Sequence, residues 1–101
     1  MKETFGEYIK THRKNKGLTL TQLAALLGLD AANLSKMENE KRNFDPSKLP
    51  TLAEIFEIPF DEINDEYVSD KIGKQIYEMN CSTELLKVAE EKAAYRRASK
   101  K

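Results

Sequence analysis

Ala31, Ala32, Asn33 and Lys36 fall together at the start of a short helix-forming stretch, and as outward-facing groups they offer two methyls, one carboxamide and one ammonium. A carboxamide can pair bidentately with adenine, an ammonium can reach guanine, and methyls suit thymine; each good bidentate pair discriminates by about 1–3 kcal/mol. Lys41, Arg42 and Asn43 follow in a polar connection and are candidates for holding phosphate. Thr19 and Gln22 stand at the N-terminus of the preceding helix, where free N–H groups and the helix dipole favour an anion, although both residues could serve only as caps. Such groups suit contact with nucleic acid rather than bond-breaking, the alternative being plain helix propensity for Ala31 and Ala32 and a solvated surface for Asn33 and Lys36. With two alanines on the reading face, direct readout is modest, and DNA shape must supply part of any specificity.

Catalysis has little to work with. His12 is the sole histidine and reads as a partly buried core residue rather than an acid–base group. Cys81 sits in a turn with no histidine nearby in sequence. No Cys/His set with zinc-ligand spacing exists, and the acid pairs Asp61-Glu62 and Asp65-Glu66 read as a solvated helix face. The expectation is a non-enzyme without metal or cofactor.

The bulk properties permit a nucleic-acid partner. Formal net charge is zero, but it is unevenly spread. Residues 1–50 carry nine basic against six acidic side chains, residues 51–91 three against eleven, and residues 92–101 five against none. A basic head, an acidic middle and a basic end are compatible with phosphate binding at the head and do not by themselves establish it. No apolar stretch is long enough to cross a bilayer, and the first residues lack the apolar segment of a signal peptide. A single cysteine cannot form an internal disulfide, which fits a reducing cytoplasm, and with no spanning stretch no membrane partner is expected.

The elements that must position these groups are helices. Gly and Pro are scarce (four and three), and β-branched runs are absent. A first helix is expected from Lys2 to Lys16, with Phe5, Ile9 and His12 inward, ended by Gly17. Thr19 with Gln22 makes a capping box, so a second helix starts at Leu20, buries Leu23, Leu26 and Leu27, and stops at Gly28. Asp30 caps a third helix, Ala31 to about Asn39, which buries Leu34 and Met37. Two short helices joined so tightly must cross steeply, as in a helix-turn-helix. A fourth helix, from Pro46 with Asp45 as cap, runs to about Phe56 and buries Leu49, Leu52, Ile55 and Phe56; a fifth begins near Asp61.

Beyond Tyr67 the pattern changes. Phe60, Ile63 and Tyr67 share one face, whereas Val68, Ile72, Ile76 and Met79 share roughly the opposite one, so the helix either breaks near Ser69-Asp70 or leaves the core there. Asn80-Cys81-Ser82 is a turn. A last helix from Thr83 is expected to bury Leu85, Leu86, Val88, Ala89 and Ala93, with fraying from Tyr95 onward.

The ordered string Gly17-Leu18-Thr19, Gln22-Leu23-Ala24, Leu27-Gly28-Leu29-Asp30, Leu34-Ser35-Lys36-Met37-Glu38 and Lys41-Arg42, followed by Leu49-Pro50-Thr51-Leu52-Ala53, resembles the phage-repressor, Cro-like (XRE) helix-turn-helix regulators over residues 5–63. The resemblance implies an all-α, five-helix repressor-like DNA-binding domain, residues 1–66, with a C-terminal helical extension, a hairpin over residues 67–101. It places the family's buried Arg–Glu pair on Arg13 and Glu38, and Glu38, one turn after Leu34, does fall on the inner face. Two positions depart from the family. Leu20 stands where a polar contact residue is common. Glu40 stands where glycine often stops the helix, so its carboxylate should point away from phosphate and Asn39 should take the left-handed turn.

The functional expectation is a sequence-specific transcriptional regulator, a repressor, reading double-stranded DNA as a homodimer. Val68, Ile72, Ile76, Met79, Leu85, Leu86 and Ala89 form the candidate dimer or partner surface, the alternative being a hairpin folded back on the head. Two other readings stay open: an antitoxin or other interaction module that binds a partner protein, such as a toxin, through its acidic middle and tail, and a head that binds only protein.

Overall fold

The computed structural model describes residues 3–99, and the described residues are all helix, turn or coil. The helices are α1 (Phe5–Asn15), α2 (Leu20–Leu27), α3 (Ala31–Glu38), α4 (Leu49–Phe56), α5 (Phe60–Met79) and α6 (Leu85–Ser99), with one 3₁₀ turn, Pro46–Lys48, ahead of α4. The chain divides into two units, the first ending at Asp70 and the second beginning at Lys71.

Local chemistry sets the helix starts. Thr4 and Glu7 form a reciprocal capping box on α1, and Thr19 and Gln22 form another on α2. Asp30 caps α3 through the Asn33 amide N–H. Asp45 caps the 3₁₀ turn, where Pro46 fits because its missing N–H would have no partner. α4 therefore begins three residues later than the sequence suggests. The expected start of α1 at Lys2 lies outside the described residues; α1 begins at Phe5 because Thr4 caps it.

Helix stops share one device. At the ends of α1 to α5 a residue takes the left-handed conformation: Gly17, Gly28, Glu40, Glu57 and Asn80. In each case the next amide reaches back five residues, as Leu18 N to Arg13 O (3.0 Å) and Lys41 N to Lys36 O (2.8 Å) do. Asn39, expected to make the left-handed turn after α3, has φ −97° instead, and Glu40 makes it at φ 63°. The shift by one residue lets the Glu40 carboxylate turn back toward α1.

The core of the first unit is Phe5, Tyr8, Ile9, Leu23, Ala24, Leu27, Leu34, Met37, Phe44, Leu49, Leu52, Ala53, Phe56 and Ile63. Phe5 meets Phe44 and Tyr67 edge-on, at 5.6 and 5.4 Å between ring centroids. His12 is half-buried between the rings of Tyr8 and Phe56. Leu26 is 56% exposed, against expectation. The inward stripe of α2 is centred on Leu23, Ala24 and Leu27, and Leu26 lies a 100° step off it. Ile55 is only half-buried, and Ala53 takes the inner position beside Leu52 and Phe56.

α5 does not break at Ser69-Asp70; it is continuous to Met79. The second unit is a hairpin of the end of α5 and α6, joined through residues 80–84, with a groove lined by Ile72 and Gln75 on one side and Leu86, Ala89 and Ala93 on the other. The expected burial of Leu85, Leu86, Val88, Ala89 and Ala93 is not found: no residue of α6 is buried. One and a half helices have too little apolar surface to cover both stripes. Tyr95 onward is helical to Ser99, not frayed; Lys100 and Lys101 lie outside the described residues.

Candidate nucleic-acid interface

α2 and α3 are joined only by Gly28, Leu29 and Asp30. Left-handed Gly28 reverses the chain, and Leu29 N donates to Ala24 O at 2.8 Å. A three-residue joint forces the two axes to cross steeply. α3 then buries Leu34, Met37 and Glu38 and leaves Ala32 and Lys36 exposed, with Ala31 and Asn33 half-exposed. The four side chains singled out in the sequence thus lie off the buried face, within the first two turns of one helix.

Besides the apolar contacts of Leu34 and Met37 with the core, a buried ion pair holds α3 from behind. Arg13 Nε donates to Glu38 Oε2 at 2.8 Å, and a second guanidinium nitrogen donates to Oε1 at 3.1 Å. The remaining arm donates to Leu18 O at 2.9 Å. Both side chains are buried, and this fork-on-fork contact fixes direction as well as distance. The pair ties the C-terminal end of α3 to α1 and to the α1–α2 turn.

A second fastening lies beside it. Gly6 N–H, in the first turn of α1 and without a partner inside its helix, donates to Glu40 Oε2 at 2.9 Å. A Cβ on residue 6 would lie 2.4 Å from that oxygen and 2.5 and 2.6 Å from the carbonyl oxygens of Glu38 and Met37. Only glycine allows α1 and the end of α3 to approach this closely. Nothing in local spacing pairs these two residues, 34 positions apart, and the Thr4 cap that sets Gly6 in the first turn of α1 emerges only in the structure. The Glu40 carboxylate is engaged by α1.

The front of α3 is also ordered. Asp30 Oδ1 accepts from Asn33 N at 2.7 Å, Asp30 Oδ2 accepts from Asn33 Nδ2 at 3.2 Å, and Arg42 Nη1 donates to Asn33 Oδ1 at 2.7 Å. Lys36, Lys41 and Asn43 are exposed. Thr19 and Gln22 spend their side chains on each other's backbone, Gln22 N to Thr19 Oγ1 at 3.1 Å and Thr19 N to Gln22 Oε1 at 2.9 Å. Leu20, the apolar departure, packs partly buried on the core. The apolar residues of the tail, Val68, Ile72, Met79, Leu85, Leu86 and Ala89, are exposed, and Ile76 is half-buried. Among the described residues no group of three or more His, Cys, Asp or Glu could hold a metal ion, and no helix is long and apolar enough to cross a membrane.

Comparison with known proteins gives a consistent picture. A family model described as Helix-turn-helix matches residues 9–63, more than half of the chain. Over 60 residues, 58% of this chain, the sequence is 40% identical to the HTH-type transcriptional repressor RghR of Bacillus subtilis (strain 168). It is 33% identical, over the same length, to the uncharacterized HTH-type transcriptional regulator RghRB of that organism. The chain spans less than half the length of either relative, 44% and 43%. Its fold is similar to a chain of the SinR protein/SinI protein complex, with a TM-score of 0.53 at 20% identity, covering 94% of this chain and 99% of that one.

Proposed function

The chain belongs to the helix-turn-helix family of transcriptional regulators, and from that premise we propose that it is a cytoplasmic repressor that binds operator DNA as a homodimer, with α3 in the major groove. One observation carries the reading. α3 is fastened on its inner side by Arg13 and Glu38 while Ala31, Ala32, Asn33 and Lys36 lie off its buried face. An α-helix fits the major groove, and its N-terminal outward residues meet base edges. Asn33 pairs with adenine, Lys36 reaches guanine, and Ala31 and Ala32 meet thymine methyls. The N-terminus of α2, with Thr19 and Gln22, faces phosphate, joined by Lys41, Asn43 and the donors of Arg42 that Asn33 leaves free.

One domain contacts about one half-site, so a second copy is needed for a full operator. Ile72, Ile76, Met79, Leu85, Leu86 and Ala89, with Val68 one turn earlier on α5, supply the dimer surface in this reading. Selection from random double-stranded DNA is the test. Two inverted half-sites about one helical turn apart, with binding that weakens steeply as salt rises, are expected. Recovery of no preferred sequence would refute sequence-specific regulation.

A second reading is favoured by the uncovered state of α6: the tail binds a different protein, as an antitoxin binds a toxin, while the head retains DNA binding. A full-length chain that is monomeric in light scattering at micromolar concentration yet binds DNA supports this reading over the homodimer.

A further inference from the structure

The hydrogen bonds in front of α3 do more than cap a helix. We infer that Asp30 and Arg42 are positioning residues that fix which way the Asn33 carboxamide faces, so that it reads adenine in a single orientation. The inference rests on the DNA-reading function proposed above.

A carboxamide carries two N–H donors and two acceptor lone pairs. Asp30 Oδ2 takes one donor of Asn33 Nδ2, and Arg42 Nη1 fills one lone pair of Oδ1. One donor and one lone pair remain, which is what a bidentate pair with adenine N7 and N6 consumes. In number, the clamp thus leaves the base what it needs, and adenine must meet these groups along the amide edge that the clamp leaves open.

Charge makes the clamp directional. An amide turned by 180° would set its carbonyl oxygen against the Asp30 carboxylate and its NH₂ against the Arg42 guanidinium. Both favourable, charge-assisted contacts would become repulsive. An unclamped carboxamide turns easily about its last bond and can present donor and acceptor in either order, which suits more than one base. The clamp thus acts on specificity more than on affinity. The backbone bond from Asn33 N to Asp30 Oδ1, at 2.7 Å, holds the carboxylate in place so that its second oxygen meets Nδ2. Arg42 comes from beyond the end of α3, nine residues on, so the clamp joins the helix to the loop that follows it.

The test uses full-length protein and its selected operator, with every base substituted in turn at the position read by Asn33. Three variants are compared: Arg42→Gln, Asp30→Ser, and Asn33→Ala as reference. Serine at 30 keeps a capping oxygen but lacks the second one. The expected result is that Arg42→Gln and Asp30→Ser each lower the preference for adenine about fivefold or more at that position alone. Replacing that adenine by 7-deaza-adenine, which lacks the N7 acceptor, should weaken the wild type and affect Arg42→Gln less. A uniform loss over all sequences in Arg42→Gln, with adenine preference intact and the salt slope reduced by about one, overturns the inference and leaves Arg42 a phosphate contact only. Full adenine preference in Asn33→Ala overturns it while leaving DNA reading intact. No preferred sequence for the wild type overturns both.

Discussion

Gly6→Ala adds one methyl where α1 crosses the end of α3. Its carbon would lie 2.5 and 2.6 Å from two main-chain oxygens, of Glu38 and Met37, and 2.4 Å from Glu40 Oε2, where contacts under 3.0 Å are essentially never found. The Glu40 carboxylate can swing aside, but the carbonyls cannot. α1 must retreat from α3 by about half an ångström, and overpacking of this kind costs about 1–3 kcal/mol. The retreat also stretches the 2.9 Å bond from Gly6 N to Glu40, a bond to a charged acceptor worth about 1.5–3 kcal/mol when intact. A total near 3 kcal/mol, at about 4–8 °C per kcal/mol for a domain of this size, lowers the melting temperature by about 10 °C or more. Thermal unfolding followed by circular dichroism measures it. Glu40→Ala placed on top of Gly6→Ala should rescue little, since the carbonyls remain. A single Gly6→Ala variant melting within about 2 °C of wild type refutes the close-approach reasoning.

Other substitutions separate the remaining devices. Glu40→Gly and Glu57→Gly both relieve a left-handed non-glycine residue, but the former loses the bond to the Gly6 amide and the latter only a solvent-exposed pair with Lys16, which contributes little beside the relieved strain; Glu40→Gly should lower the melting temperature and Glu57→Gly should leave it no lower, and the reverse order would disprove the role given to Glu40. Glu38→Leu strands a buried guanidinium and should cost about 3–5 kcal/mol, whereas Arg13→Met with Glu38→Leu should recover most of that stability. If the pair's use is to hold α3, the recovered double variant still binds operator at least about tenfold more weakly, and unchanged affinity sinks that role. Asp45 is held below the usual carboxylate range by its bonds from the Ser47 hydroxyl and amide, and Glu57 by Lys16. Folded values below unfolded ones mean that both contribute stability above that range and lose it as pH falls through and beneath it, so Asp45→Asn should flatten the acid limb of a melting-temperature profile. Deleting residues 71–101 should abolish a tail-mediated dimer in light scattering; an intact dimer excludes the tail as the interface.

Local signals were legible, and distant ones were not. The Thr19–Gln22 box, the Asp30 cap and the Gly17 and Gly28 stops each lie within a few residues of what they control, and each is where spacing put it. The stops at Glu40 and Glu57 use the same geometry without the residue that advertises it. Glutamate there becomes intelligible only through what its carboxylate reaches, the Gly6 amide in one case and Lys16 in the other. Arg13 and Glu38, 25 residues apart, were reached through family resemblance, because nothing in local spacing pairs them. The outward residues of α3 were nameable from helical phase alone, but the hydrogen bonds that hold Asn33 were not, since Arg42 belongs to the loop after the helix.

The tail shows where pattern reading overreaches. Apolar residues at helical spacing in α6 predicted a buried stripe, yet the helix has none. Spacing specifies that a face is apolar, not what covers it. In the first unit the coverage is internal: α1, α2, α3, α4 and the start of α5 each contribute buried side chains to one core. In the second unit the apolar side chains Leu85, Leu86 and Val88 stay open to solvent, and an isolated 15-residue helix is marginal in water without a packed face. Such a helix gains its stability from whatever surface it meets. Melting of the second unit should therefore depend on protein concentration if a second copy supplies that surface, and the first unit's should not. Circular dichroism over a hundredfold range of concentration distinguishes the two, and a tail transition that does not move with concentration argues against self-association.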